Sequence, residues 1–428
     1  MIASSQPQSF SPPERPTGHY AFGAKGLFLL WLAAFAFCTL GNGIAGHWLS
    51  SAEGADFGVE STRTAAAILK YGEFRDPFAP MPTGPTAHVA PAYPLLYSAV
   101  VAGFGTGKAA WWAIRLITLG AYTLGLSLLP WLGMELGFTP LVGLVAAGLG
   151  CLVPLPGSCY KWEALFSGLL LVAIAYTTVR LRHSKALSTA FALGFLSGIA
   201  LLFSPVLAVV LIAWDLLIWR SLNLKAVLLL AGLPLLIISP WLLRNYKVFG
   251  AFIFIRDDLG TELAVSNNDC ASAWTLDNTH SACFSQVHPN ANLELDERIA
   301  AIGEFRFNKE RLQAAWSWIR THWVEFGALS AKRFLFFWFP AAAGGRGLEL
   351  LGTLVVSLIT AASIPGLVLM YRANRFAAYM LAACLFSFPL VHYLVQVDLR
   401  YRFPILWVSS MATAFLLTRQ GQPANPSS

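Results

Sequence analysis

Two carboxylates, Asp56 and Glu60, stand one helical turn apart in Gly54-Ala-Asp-Phe-Gly-Val-Glu60-Ser-Thr-Arg63, directly after the first hydrophobic run of the chain. A carboxylate held at the edge of an apolar layer can take a proton from an attacking hydroxyl, so each is a candidate general base. The plainer reading is a solvated acid on a surface helix. Arg244, Lys247, Arg400 and Arg402 flank later apolar runs. They could bind an anionic group, an arginine through a planar two-bond fork, or they could simply anchor lipid headgroups. Tyr393 and Tyr401 could donate to phosphate oxygens or sit as interfacial tyrosines. Glu163, in Lys161-Trp162-Glu163, could orient an acceptor or cap the helix that follows it. His88 could touch substrate or be solvated. Arg115 lies inside an apolar run, where a guanidinium is costly unless it faces protein or water.

The elements that must position these residues are membrane helices. Hydrophobic residues make up 56% of the 428 and charged residues only 12%, against about a quarter charged in ordinary soluble domains. About ten runs approach the ~20 residues needed to cross hydrocarbon, at 26–48, 109–132, 139–156, 162–180, 187–203, 205–219, 226–243, 347–370, 376–394 and 403–418. The first follows a polar, proline-rich tail and is too long for the apolar part of a signal peptide. The layout is an all-α polytopic membrane protein with tails at 1–25 and 419–428. An N-terminal transmembrane module occupies 26–243 and contains the loop 49–108. A second loop, 244–346, precedes the C-terminal helices of 347–418.

Short loops carrying Arg180, Arg182, Lys185, Arg220, Lys225, Arg372 and Arg375 mark one side as cytoplasmic, which places both long loops outside. The formal charge of +7 is spread over both sides with no contiguous basic stripe, so it implies a bilayer partner and no nucleic acid. In the first loop, Ala65, Ala66, Ile68 and Leu69 predict a short interfacial helix from Glu60 to Tyr71, followed by a rigid proline-studded turn over 77–97. In the second, a helix is expected from Leu293 to about Ile319, and Ala331-Lys-Arg333-Phe-Leu-Phe-Phe-Trp338-Phe reads as an interfacial anchor. Cys270 and Cys283, thirteen residues apart, could clip that loop as a disulfide in an oxidising compartment, or bind a metal with His280.

Taken together, these pieces resemble the GT-C superfamily of polytopic glycosyltransferases, the group with dolichyl-phosphate-mannose protein mannosyltransferases and the bacterial aminoarabinose transferase of lipid A. The matching residues are Phe57-Gly58-Val-Glu60 running into Ala65 to Gly72, then Gly84-Pro85-Thr86-Ala87, Ala90-Pro91-Ala-Tyr93-Pro94, Pro240-Trp241, Arg244-Asn245-Tyr246, Phe249-Gly250, Tyr393 and Arg400-Tyr401-Arg402-Phe-Pro404. Better-known members carry an Asp-Glu doublet in the first external loop. This chain has none, and the family's Asp falls near Phe57 or Gly58, leaving Asp56 or Glu60 for the role, with Glu60 favoured at the helix start.

The resemblance implies a glycosyltransferase of the bacterial inner membrane working at its outer face. It would move a sugar from a polyprenyl-phosphate donor to a hydroxyl of a protein, lipid or glycan acceptor, with inversion. The positive side would gather Arg244, Arg400 and Arg402 into one phosphate site. No cofactor is implied, and a divalent metal stays open without a secure ligand set. The other classes are a transporter, which would carry acids inside its spans and broken helices at mid-membrane, and a non-catalytic lipid-binding assembly protein.

Overall fold

A computed structural model describes residues 23–45, 54–340 and 347–418. Most of the expected 1–25 tail, the 419–428 tail and the 46–48 end of the first predicted span lie outside the described residues. Within them the chain is helical. α1 (Ala24–Ala45) leads to two helices of the first excursion, α2 (Glu60–Tyr71) and α3 (Ala92–Phe104). The bundle continues through α4 (Lys108–Ser127), α5 (Leu129–Glu135), α6 (Pro140–Cys151), α7 (Ala164–Ser184), α8 (Leu187–Phe203), α9 (Ala208–Ile218) and α10 (Leu224–Phe249). The second excursion holds α11 (Leu259–Ser266), α12 (Thr275–His280), α13 (Ala282–Val287), α14 (Leu293–Ile302), α15 (Glu304–Thr321) and α16 (Trp323–Trp338), and α17 (Gly347–Ala373), α18 (Arg375–Ser387) and α19 (Phe403–Thr418) close the chain.

Among the described residues, six segments are long and apolar enough to cross a membrane: Ala24–Ile44, Lys108–Glu135, Ala164–Ser184, Leu224–Phe249, Leu350–Ala373 and Arg375–Tyr393. Each coincides with a predicted span. The other four predicted spans, 139–156, 187–203, 205–219 and 403–418, hold helices of 12, 17, 11 and 16 residues, shorter than the ~20 a bilayer asks for. α19 has a physical reason to be short. It is buried from Phe403 to Ala414 and packs against α6, α7 and α17, so it shows lipid little surface. The approach is close enough that a Cβ on Gly366 would fall 2.0 Å from the Ala412 carbonyl oxygen.

Helix α2 has the predicted bounds, with Gly72 at φ 71° ending it in the left-handed region. The stretch after it differs from expectation. Residues 92–104 form α3, with Pro91 at the cap and Pro94 in the first turn, where a missing N–H leaves no helical bond unmade. The expected 293–319 helix is likewise split, at Gly303 with φ 82°. Arg333 is no interfacial anchor. It is fully buried and donates to the Ser266 carbonyl, to Asn267 Oδ1 at 3.0 Å and to the Leu394 carbonyl at 3.0 Å, so both terminal nitrogens of the guanidinium are partnered inside protein.

The two excursions pack on each other and on the connections 152–163 and 394–402. Asp257 N–H donates to the Ala87 carbonyl at 2.8 Å, and Thr275 and Val397 pair along their backbones at 2.9 Å. At Gly260 a Cβ would meet the Asn308 carbonyl oxygen at 2.0 Å, so only glycine lets α11 lie against α15. Cys270 and Cys283 form a disulfide within this region, which removes them as thiolate ligands for a metal with His280.

Candidate active site

Glu60 opens α2, where free backbone N–H groups favour an acid. Its side chain is only 9% exposed. Asn290 Nδ2 donates to Glu60 Oε1, and His288 Nε2 lies 3.7 Å from the same oxygen. Both partners come from the short His288-Pro289-Asn290 turn between α13 and α14. Burial pushes the His288 imidazole below its ordinary pKa; the Glu60 charge opposes this and Arg311 adds to it.

Asp56 occupies a different corner. Lys161 Nζ lies 2.5 Å from Asp56 Oδ2, and Gly58 N–H donates to Oδ1 at 2.7 Å. Burial alone would raise this carboxyl, but Lys161 and the Gly58 N–H hold it below its ordinary pKa, and the Arg115 charge helps. Arg115 faces protein, its guanidinium 3.7 Å above the Trp111 ring and 5.0 Å from that of Tyr160.

Between the excursions runs a seam of charge. Arg256 reaches Asp258 at 2.6 Å and Glu163 at 4.0 Å, and its Nε donates to the His88 carbonyl at 3.0 Å. Burial works against the Arg256 charge, yet Asp258, Glu163 and Glu262 raise its pKa above the usual value. Glu262 is pushed up to about 7, first by burial and then by Asp258 and Glu60, with Arg256 and Arg400 pulling the other way. One acid therefore feels Glu60, Arg256 and Arg400 together. Arg400 pairs with Asp398 at 3.6 Å, lies 4.4 Å over the Trp162 ring and contacts the Tyr401 hydroxyl at 3.2 Å. Burial raises the Tyr401 phenol to about 12.

The remaining expected site residues are placed as follows. His88 is buried at 2% exposure against Phe78, so it is not solvated. Glu163 stands at the cap position of α7 but makes no side-chain cap bond, its carboxylate turning to Arg256 instead. Arg244 donates to the carbonyls of Thr86 and Phe74 at 2.7 and 2.9 Å, holding the first excursion. Lys247 is exposed. Arg402 is 1% exposed and turns into the bundle, donating to Thr360 and Ser409 at 3.1 and 2.7 Å. Tyr393 accepts from Trp338 Nε1 at 2.8 Å. Arg244, Arg400 and Arg402 thus keep three separate sets of partners.

Among the described residues no three His, Cys, Asp or Glu side chains gather as a metal site, and Asp56 and Glu60 are engaged by Lys161 and Asn290. Sequence reasoning passed over His288, Asn290, Glu262 and Glu304. Glu304 is fully enclosed, accepting from the Thr86 hydroxyl at 2.5 Å and the Ala87 N–H at 2.7 Å. None of the four sits in a periodic pattern. The signals were the turn residues Pro289-Asn290 and the Gly303-Glu304 helix start.

No family model matches this chain, and no curated protein does either. Solved structures do. The oligosaccharyltransferase of Archaeoglobus fulgidus in its apo form superposes with a TM-score of 0.53 at 12% identity, over 93% of this chain and 51% of that one. The fold is of the GT-C type. The same enzyme, AglB, in complex with an inhibitory peptide and a dolichol-phosphate gives a TM-score of 0.52 at 13% identity, over 92% and 50% of the two chains. Its complex with Zn and sulfate gives 0.52 at 14% identity, over 91% and 48%. This chain therefore spans about half the length of the structures it matches. With that fold and six long apolar helices, it is an integral membrane protein.

Proposed function

We propose that the chain is a membrane glycosyltransferase that moves a sugar from a polyprenyl-phosphate donor to an acceptor hydroxyl, with inversion, at the outer face of a bacterial plasma membrane. The observation that carries this reading is the shared surroundings of Glu262, which feels the Glu60 charge together with those of Arg256 and Arg400. An inverting displacement needs that polarity, a base on one side of the sugar and positive charge on the other. The neighbouring fold contributes its own support, since AglB was captured with dolichol-phosphate.

In the proposed step the acceptor oxygen bonds to the anomeric carbon while the bond from that carbon to the phosphate oxygen breaks. The hydroxyl proton goes to Glu60, and the bonding pair leaves with the phosphate. Arg400, with Tyr401 donating beside it, offsets the growing charge, and Arg256 backs it from the seam. Glu60 fits the base better than Asp56, because Asp56 is already paired with the Lys161 ammonium whereas Glu60 meets only an amide and an imidazole. Arg244 and Arg402 remain candidates for the same phosphate, with Lys247 and Tyr393 at its margin. A divalent metal stays open, with no ligand set gathered among the described residues.

The test is transfer by the purified protein in lipid, from a panel of radiolabelled polyprenyl-phosphate sugars to membrane extract. Label moving from lipid to an acceptor, and not from the Glu60→Gln variant, is the expected result. No transfer from any donor would discard the reading.

A further inference from the structure

The turn that covers Glu60 is built to aim two donors at it. Asn290 Oδ1 accepts the Ala79 N–H at 3.3 Å, so the other end of the amide, the Nδ2 donor, must be the group facing Glu60 Oε1. The imidazole of His288 is oriented in the same way. Its Nδ1 accepts the Asn290 N–H at 3.1 Å, which leaves the proton of the neutral ring on Nε2, the nitrogen 3.7 Å from Glu60 Oε1. The turn is in turn held from outside. Arg311 donates to the Val287 carbonyl at 2.8 Å, Phe284 stacks on His288 at 4.5 Å, and Asn292 spans to the Ser285 and Gln286 carbonyls at 3.1 Å each. Phe284 follows directly on the disulfide-bonded Cys283. A carboxylate on the first excursion is therefore bonded by the Asn290 N–H of the second and faced at 3.7 Å by the His288 Nε2, each with its direction set by a backbone N–H.

We propose that His288 and Asn290 are positioning residues for Glu60, holding its carboxylate aimed so that the base is complete only when the two excursions are docked. The proposal rests on the reading of Glu60 as the base. The charged groups around the pair are Glu262, which feels Glu60, and Arg311 and His88, which are coupled to His288. Asn290→Ala takes away a donor that favours the ionised form, so the pKa of Glu60 should rise.

Two readouts on the full-length protein in lipid separate this from a structural role. One is the acid limb of the pH profile of transfer. The other, independent of activity, is the pH midpoint for labelling Glu60 with dicyclohexylcarbodiimide, an apolar reagent that takes protonated carboxyls, followed by mass spectrometry. In Asn290→Ala both should move up by about one pH unit and kcat should fall about tenfold with the donor KM unchanged. His288→Ala should move them the same way, and His288→Gln, which keeps a donor, should restore much of the loss. Transfer by the parent protein with neither limb nor midpoint moving in these variants overturns the proposal and leaves the proposed function standing. If the parent protein transfers nothing, the function falls. The labelling midpoint then still decides on its own: a rise supports the hold on Glu60, and an unmoved midpoint overturns it.

Discussion

The enclosed pocket of Glu60 and the open corner of Asp56 lie one helical turn apart in sequence and hold the same functional group in opposite ways. The Asp56 side chain is 44% exposed and its charge is answered by Lys161, itself 34% exposed. The Glu60 side chain is 9% exposed and its neighbours are a neutral amide and a buried imidazole. An open ion pair is screened and exchangeable, whereas an enclosed carboxylate lets each surrounding dipole act at close to full strength. On the proposed reading, enclosure, and not sequence position, is what suits Glu60 rather than Asp56 to proton transfer.

The largest effect should break or keep that contrast outright. Glu60→Gln keeps shape and loses the proton acceptor, so transfer should fall by roughly 10²–10⁴ with donor affinity retained. Asp56→Asn should cost less than about tenfold, having only an orienting role to lose. Parallel rates of transfer and titrations with a polyprenyl-phosphate analogue measure both, and a reversed order would hand the base to Asp56.

Next in size comes a second enclosed acid, Glu304, whose pKa burial pushes up to about 8 from 4.5, against the bonds from Thr86 and Ala87. A raised carboxyl binds its proton more tightly folded than unfolded. Its contribution is then fully present below about pH 4.5 and is lost as pH rises through about 8. The ceiling is about 5 kcal/mol, at 1.36 kcal/mol per unit. Glu304→Gln keeps an acceptor without the charge, so thermal melts should lose their pH slope between those limits and Tm above pH 8 should exceed that of the parent. An unchanged slope would mean that the Glu304 enclosure opens to water.

How much of this was legible beforehand follows the same division. The apolar helices and the bounds of α2 were readable because both rest on local signals, run length in one case and the Ala65-Ala66-Ile68-Leu69 face with Gly72 in the other. α3 was not, because its prolines look like a turn until they are counted into the first helical turn. Arg244, Arg400 and Arg402 were recognisable as basic residues at helix ends, and the Asp398 partner of Arg400 is local, but Arg244 and Arg402 reach Thr86 and Thr360, dictated by packing across long sequence separations. His288 and Asn290 were invisible for that reason: 230 residues separate Asn290 from Glu60.

Arg400 tests whether the seam behaves as an enclosed site for a cation too. Stacked on Trp162 and paired with Asp398, it has a planar contact that a lysine cannot reproduce. Arg400→Lys should weaken a polyprenyl-phosphate analogue by about tenfold although the charge is kept. Equal affinity would place the donor phosphate elsewhere, beside Arg244 or Arg402.

The smallest effect belongs to the open corner. Lys161→Met removes the partner of Asp56, but an exposed pair of this kind contributes less than about 1 kcal/mol, so Tm should barely move. The titration should still respond. With Lys161 gone, burial and the Gly58 N–H are left in opposition at Asp56, and its labelling midpoint with a carbodiimide should rise while that of Glu60 stays put. The two carboxylates would then be shown to titrate independently, as their separate partners require. If Lys161→Met shifts the Glu60 midpoint as well, the two regions are one coupled acid pair, and the proton of the acceptor hydroxyl would have to be assigned to the pair and not to Glu60.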